Sequence, residues 1–116
     1  NYKGPSVIIC YAPCVNHGLK KGMNKAQENI KDAVECGYWN LYRYNPELAD
    51  QGKNPLILDS KAPTGNFRDF IMGQVRYASL AKEFPGVAEQ LFQQTEKEAM
   101  IRYKKYKQLA DLPPIE

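Results

Sequence analysis

The stretch Ser6-Val7-Ile8-Ile9-Cys10-Tyr11 is continuously apolar and rich in residues that favour strands. Hydrophobicity without alternation is typical of a strand covered on both faces, as in a parallel sheet. We therefore expect an α/β fold containing one buried, parallel-type strand. Such a strand requires neighbours, and the rest of the chain contains too little strand-like sequence to surround it. Because the chain also begins with Asn1 and not with methionine, we expect it to be a piece of a longer protein.

A loop is predicted directly after this strand, at residues 12–18. Pro13 cannot continue a hydrogen-bonded strand, and Gly18 permits unusual backbone dihedrals. In open α/β sheets, ligands bind at the carboxyl ends of the strands. Cys14 lies in this loop, beside the proline, where its sulfur is free to face a ligand. Cys10, inside the strand, and Cys36 are predicted to be buried packing residues.

One helix and one hairpin are predicted between residues 25 and 59. The helix covers residues 25–36, from a capping-box pair of Asn24 and Gln27 to a stop at Gly37. Two extended segments, residues 39–44 and 55–59, are separated by a polar stretch that contains proline and glycine. This pattern predicts a hairpin with a long loop.

Two further helices are predicted in residues 66–112, after a first part that comprises residues 1–65. Asn66 is a suitable N-cap for a helix that runs to about residue 83, and the last helix ends before Pro113. Apolar residues recur at helical spacing in both. The predicted inward faces are Phe67, Phe70, Ile71, Val75 and Ala78 in the first of these helices, and Val87, Leu91, Thr95, Ala99, Tyr103, Tyr106 and Ala110 in the second.

Composition indicates a globular, soluble protein of a reducing compartment, with the cytoplasm as the expected location. The chain is 43% hydrophobic, and its apolar runs are far shorter than the roughly 18 residues of a membrane span. An odd number of cysteines, without a secretory leader, argues against a disulfide framework. The net charge of +3 is spread evenly, so no nucleic-acid partner is expected. The one basic concentration, residues 102–107, falls in the last turns of a predicted helix, where cations complement the helix dipole.

No complete catalytic set is present in the chain. His17 is the only histidine, so a Cys–His arrangement would have to pair it with Cys14. Glycine-rich phosphate loops are absent, as is the Gly-Asp-Gly plus Asn pattern that holds thiamine diphosphate and Mg²⁺. Cys14 is also a candidate metal ligand, but a [4Fe–4S] cluster requires about four thiolates and the chain has three cysteines.

Several uninterrupted motifs occur in order along the chain. They are Gly4-Pro5 through the strand to Ala12-Pro13-Cys14-Val15-Asn16-His17-Gly18, then Lys20-Lys21-Gly22-Met23, Gly37-Tyr38-Trp39-Asn40-Leu41-Tyr42-Arg43-Tyr44-Asn45-Pro46, Gly52-Lys53-Asn54-Pro55, Leu58-Asp59-Ser60-Lys61, Pro63-Thr64-Gly65 and Arg76-Tyr77-Ala78-Ser79-Leu80. Together they closely resemble the end of the large single-chain pyruvate:ferredoxin (flavodoxin) oxidoreductases. The resemblance covers nearly the whole chain.

The resemblance implies that the chain is the C-terminal part of a thiamine-diphosphate-binding α/β domain. It places on Cys14 the role of one ligand of the [4Fe–4S] cluster nearest the thiamine. The other cluster ligands and the residues that hold thiamine diphosphate and Mg²⁺ would lie upstream, so the piece would be inactive alone. Asn16 and His17 would line the cluster or the thiamine pocket, although capping or loop packing explains them equally well.

By the same resemblance, the parent enzyme oxidatively decarboxylates pyruvate with coenzyme A to acetyl-CoA and CO₂. Electrons pass through [4Fe–4S] clusters to ferredoxin or flavodoxin, and the parent is expected to be a homodimer. The partners of this piece would therefore be the remainder of its own enzyme and, through it, the redox protein.

Two alternatives from other classes remain open at the level of sequence. One is a small non-enzymatic helical interaction module that offers Leu91, Phe92, Tyr103 and Tyr106 to a partner. It predicts that the apolar strand is covered within the chain itself. The other is a thiol-redox protein that uses Cys10 and Cys14 as an exposed pair of low pKa.

Overall fold

Helices and one short hairpin surround a small apolar core. The computed structural model describes residues 2–13 and 23–113, which extend over 53 × 29 × 22 Å. In chain order the elements are a 3₁₀ turn at Met23–Lys25, α1 (Ala26–Glu35), β1 (Tyr42–Tyr44), α2 (Glu47–Asp50), β2 (Leu56–Leu58), α3 (Phe67–Met72), α4 (Val75–Glu83) and α5 (Pro85–Asp111).

Helix α1 confirms the helix predicted over residues 25–36, but it begins differently. Its N-cap is Lys25, which makes no side-chain capping bond, so the predicted capping box of Asn24 and Gln27 does not form. The preceding 3₁₀ turn occupies the position where that box would have to start. The predicted stop is confirmed, because Gly37 adopts φ +84° after the C-cap residue Cys36.

The predicted hairpin is confirmed as an antiparallel pair of β1 and β2. Arg43 lies opposite Ile57 in the register, and the short helix α2 occupies part of the connection. The Arg43 guanidinium donates to both carboxylate oxygens of Asp59, with Nη2–Oδ1 and Nε–Oδ2 distances of 2.9 Å. At the base of the hairpin, the Leu41 N–H donates a hydrogen bond to Ser60 Oγ at 2.7 Å.

The single helix predicted from Asn66 to residue 83 is divided into α3 and α4. Its start is confirmed, because Asn66 Oδ1 accepts the Asp69 N–H at 3.1 Å. The division comes at Gly73 and at Gln74, whose ψ of 124° is extended. Glycine stabilises a helix poorly, and the local sequence pattern did not indicate this break. Val75, predicted to face inward, is 37% exposed at the start of α4 and does not join the core.

Helix α5 is the longest element, and its inward face differs in part from the predicted one. Its end at Asp111, before Pro113, is as predicted. Ala99 is buried as expected, but Val87 and Leu91 are exposed, and their neighbours Ala88 and Phe92 are buried instead. The core consists of Ala33, Cys36, Phe67, Phe70, Ile71, Ala88, Phe92 and Ala99.

The first apolar stretch does not form the predicted buried strand. The sheet in the described ranges contains only β1 and β2, and Val7, Ile8 and Ile9 are 87%, 85% and 73% exposed. Cys10, predicted to be buried, is exposed as well. The physical reason is the lack of a neighbour: a strand forms only where another strand accepts and donates its backbone hydrogen bonds.

The observed class is therefore a mixture of helices with a small antiparallel sheet. Among the described helices, five instead of the predicted three, none combines the length and the hydropathy that a membrane span requires.

Candidate functional site

The three residues that the sequence singles out, Cys14, Asn16 and His17, lie outside the described residues. The described chain ends before them at Pro13 and continues after them at Met23. The structure describes the first two residues of the predicted ligand loop, residues 12–18, and the side chains around the point where that loop begins.

Tyr11 anchors the beginning of this loop on an aromatic cluster. Its ring centroid lies 5.8 Å from that of Tyr38, in an edge-on arrangement, and 5.7 Å from that of Trp39. Burial raises the pKa of the Tyr11 hydroxyl, and the nearby Asn29 amide opposes this shift. Three residues before Cys14, the backbone is thus held by aromatic packing and not by a sheet.

Tyr38 is the centre of the aromatic cluster. Its ring lies 4.9 Å from that of Phe70, and its hydroxyl is 3.3 Å from the Tyr77 hydroxyl. Burial is the main cause of the raised pKa of Tyr38, and the hydrogen bond with Tyr77 adds to it. Arg102 on α5 donates from Nη2 to the Tyr38 carbonyl oxygen at 2.9 Å. The cluster is therefore joined to both α4 and α5.

A groove of about 1070 Å³ runs beside this cluster. It is lined by the exposed stretch Val7–Ile9, by residues 39–45, and by Glu98, Ala99, Arg102 and Tyr106 of α5. The walls are mainly apolar and aromatic, so the groove is suited to burying an apolar polypeptide segment.

Asn40 lies at this groove with unsatisfied polar atoms. The residue is only 7% exposed, and neither its amide oxygen nor its amide nitrogen has a hydrogen-bond partner in the part of the chain that the structure describes. A buried polar group without a partner costs about 1–3 kcal/mol. Asn29 and Arg68 also have a buried polar side-chain atom without a partner in the described residues, but only at Asn40 do two such atoms belong to one side chain.

The two described cysteines differ sharply. Cys36 is 6% exposed, its Sγ donates to the Ala33 carbonyl oxygen at 3.6 Å, and burial raises its pKa. Its burial confirms the prediction that Cys36 is a packing residue. Within residues 2–13 and 23–113, no group of three or more His, Cys, Asp or Glu side chains is close enough to hold a metal ion.

A second hollow, of about 300 Å³, lies between α1 and α3. Asp32, Glu35 and Asp69 contribute carboxylates to its lining, together with the buried residues Cys36 and Phe70. In the described chain these carboxylates do not converge as a metal-binding group.

Sequence reasoning did not identify Tyr11, Tyr38, Asn40 or Arg102 as site residues. The available signal was the uninterrupted motif Gly37–Pro46, which contains Tyr38 and Asn40. Arg102 was interpreted only as one of several cations at a helix end. Its contact with the Tyr38 carbonyl depends on how α5 crosses the molecule, which no local pattern reveals.

Comparison with known proteins identifies close relatives of the chain, although no family model matches it. It is 59% identical over 110 residues to pyruvate:ferredoxin oxidoreductase of Moorella thermoacetica and 51% identical over 109 residues to pyruvate-flavodoxin oxidoreductase of Klebsiella pneumoniae. These alignments cover 95% and 94% of this chain, but only 9% of each relative.

A more distant relative has a different electron acceptor in its name. The chain is 41% identical over 113 residues to mitochondrial pyruvate dehydrogenase [NADP(+)] of Euglena gracilis, of which it covers 6%. The chain therefore spans less than a tenth of the length of each of these relatives.

Proposed function

Since the chain corresponds to a segment of the pyruvate:ferredoxin and pyruvate-flavodoxin oxidoreductases, we propose that it is part of an enzyme that converts pyruvate and coenzyme A to acetyl-CoA and CO₂. Two electrons are released in this conversion and leave through [4Fe–4S] clusters to ferredoxin or flavodoxin. The observation that carries the proposal is identity above 50% along nearly the whole chain, against relatives about ten times longer.

The proposed contribution of this chain is the Cys14 thiolate, as one ligand of a [4Fe–4S] cluster. Such a cluster is held by four thiolates, so a chain with three cysteines requires ligands from elsewhere in the enzyme. Cys36 is buried and hydrogen-bonded inside the core. Cys14 follows Pro13 in the predicted ligand loop, which begins at the anchored Tyr11, and this supports Cys14 over Cys10.

The cofactors of the parent enzyme are proposed to be thiamine diphosphate with Mg²⁺, in addition to the clusters. Thiamine diphosphate supplies the means to stabilise the negative charge left when CO₂ departs from pyruvate. Asn16 and His17 are proposed to line the cluster or the thiamine pocket from the same loop. The chain is proposed to be the C-terminal part of the thiamine-binding domain, with residues 1–65 supplying the loop and 66–112 forming the helical part.

The surroundings of this piece in the parent enzyme follow from its incomplete surface. Val7–Ile9 are exposed in the described chain, and in the parent we propose that they form a parallel strand between neighbours from the remainder of the enzyme. The adjoining groove, which is lined mainly by apolar and aromatic side chains, supports a partner on this side. We further propose a homodimeric parent and, from the unpaired cysteines, a cytoplasmic location.

The interaction-module alternative is not favoured by the described residues. It predicts that the first apolar stretch is covered within the chain, whereas Val7, Ile8 and Ile9 are exposed. Of the side chains that it would offer to a partner, Phe92 is only 3% exposed. The thiol-redox alternative predicts that Cys10 and Cys14 are both exposed. Cys10 is exposed, and Cys14 lies outside the described residues.

The decisive experiment replaces the cysteines one at a time in the full-length enzyme. Cys14→Ser should lower iron and acid-labile sulfide by one cluster per chain and remove one electron paramagnetic resonance signal. Pyruvate should still bind, because the substrate residues lie elsewhere. Full cluster content and an unchanged signal in folded Cys14→Ser enzyme would disprove the proposed ligand.

Two matched controls accompany this variant. Cys36→Ser should keep every cluster and lose about 1–3 kcal/mol of stability, because it buries a hydroxyl in the core. Cys10→Ser should keep every cluster as well, and loss of a cluster in this variant would transfer the ligand role to Cys10. The purified 116-residue chain should show no coenzyme A-dependent decarboxylation of pyruvate.

A further inference from the structure

Strand β1 uses only one of its two edges in the hairpin. The Asn45 N–H, just after β1, donates to the Pro55 carbonyl oxygen at 2.9 Å. In an antiparallel pair, the residues that exchange such bonds alternate with residues that do not. Asn45 and Arg43 therefore bond toward β2, and the N–H and C=O groups of Tyr42 and Tyr44 point to the opposite side. We call these four groups the outer edge of β1.

The other strand agrees with this alternation. Leu56 lies opposite Tyr44 in the register, and its N–H donates to Asn54 Oδ1 at 2.9 Å and not across the hairpin. Among the backbone hydrogen bonds outside the regular elements of the described chain, none involves Tyr42 or Tyr44. The outer edge of β1 thus has no partner in the part of the chain that the structure describes.

The residues of this edge line the groove that Val7–Ile9 also line. Val7–Ile9 likewise make no backbone hydrogen bond within the described chain. The charged side chains of the groove are already engaged, Arg43 by Asp59, Arg102 by the Tyr38 carbonyl oxygen and Glu98 by Gln94. The unpaired groups along the outer edge are backbone donors and acceptors, which an extended polypeptide matches.

From these observations we propose that an extended segment from the remainder of the parent enzyme pairs with the outer edge of β1 and makes β1 an inner strand of a larger sheet. Strand edges in soluble proteins are usually covered or blunted, whereas β1 is exposed along its whole length. The relatives are about ten times longer than this chain, so a covering segment is available outside it. The inference rests on the proposed membership in a longer enzyme, and not on the cluster.

Hydrogen exchange at single-residue resolution in the full-length enzyme tests this pairing. The Tyr42 and Tyr44 amides should exchange on the order of 100-fold or more slowly than unprotected amides, because each would donate to the added strand. The Arg43 amide bonds within the hairpin and is the internal control for its folding. Protection of Arg43 together with unprotected exchange at Tyr42 and Tyr44 would overturn the proposal.

A proline at position 44 separates strand pairing from coverage by side chains. Tyr44→Pro removes the outward N–H, whereas Tyr44→Ala keeps it and is the matched control. We expect the Tyr42 amide to lose protection in Tyr44→Pro alone, while Arg43 stays protected in both variants. Continued protection of Tyr42 in folded Tyr44→Pro enzyme would show that no strand pairs here. If Arg43 also loses protection, the hairpin is disrupted and the exchange of the unsubstituted enzyme decides.

A photo-cross-linker identifies the segment at this edge. The change Tyr44→p-benzoylphenylalanine keeps an aromatic ring, and mass spectrometry after irradiation locates the attached peptide in the full-length enzyme. We expect a peptide of the same polypeptide outside these 116 residues. A covalent dimer, which would place a second copy at the edge, or attachment within the 116 residues contradicts the proposal. Exchange at Val7–Ile9 and cluster content are measured separately, so failure here is distinguishable from failure of the proposed function.

Discussion

Gly37 and Gly52 show, at the scale of single residues, how the same backbone requirement has different consequences in different surroundings. Both have positive φ, +84° and +71°, where a Cβ is unfavourable by about 1–2 kcal/mol. A Cβ on Gly37 would lie 2.9 Å from Pro63 Cγ, whereas a Cβ on Gly52 would meet nothing within 4 Å. Gly37 is thus constrained twice, by its own dihedral and by a neighbouring segment.

This difference gives a paired stability prediction. Gly52→Ala should lower the free energy of unfolding of the chain by about 1 kcal/mol, the cost of the dihedral alone. Gly37→Ala should lower it by about 2 kcal/mol or more, because Pro63 must also move. Denaturant unfolding of both variants measures the difference. Equal losses would show that Pro63 yields without cost and that only the dihedral matters.

Asn54 connects two elements through one side chain. Its Nδ2 donates to the carbonyl oxygens of Leu109, Ala110 and Leu112, at 2.8, 2.9 and 3.0 Å. Its Oδ1 accepts the Leu56 N–H at 2.9 Å. The last carbonyls of a helix have no partner within it, so this amide caps the C-terminus of α5 and holds it against the start of β2.

We expect Asn54→Ala to destabilise the chain by about 1–2 kcal/mol, since it removes this cap and leaves several backbone groups to water. Asn45→Ala is the matched control, because the Asn45 side chain accepts one exposed bond, from the Glu47 N–H at 3.1 Å, and its loss should cost less. Hydrogen exchange should also accelerate in the last turn of α5 in the Asn54 variant alone. Similar exchange in both variants would show that Asn54 does not hold the helix end.

At the scale of the whole molecule, the first apolar stretch is an exposed apolar surface of the described chain. Val7, Ile8 and Ile9 are the most exposed large apolar residues in the described chain, and they form one wall of the groove that contains Asn40. Covering such side chains contributes about 1.5–3 kcal/mol each. Their contribution to stability should therefore appear only when the rest of the enzyme is present.

Ile8→Lys tests this dependence on context. In the isolated chain it should leave the free energy of unfolding nearly unchanged and reduce binding of a hydrophobic dye, because the side chain is exposed. In the full-length enzyme the same change should cost roughly 2 kcal/mol or more, since a charge would enter a buried strand. An equal, small effect in both proteins would contradict the proposed strand.

The sequence by itself determined the elements whose hydrogen bonds are local. Helix α1, its stop at Gly37, the Asn66 cap and the end of α5 were predictable because each depends on residues within a turn or two of one another. The hairpin was predictable from two extended segments that flank a polar stretch with proline and glycine. Cys14, Asn16 and His17 were predicted from neighbouring residues and from a resemblance, and they lie outside the described residues, so their roles stay a prediction.

Tertiary structure decided what depends on distant residues. Val7–Ile9 and Cys10 are exposed in the described chain, because a strand forms only where another strand pairs with it. The buried face of α5, displaced from Val87 and Leu91 to Ala88 and Phe92, depends on how the helix crosses α3 and α4. Burial is a property of packed pairs, and a sequence pattern specifies only one member of each pair.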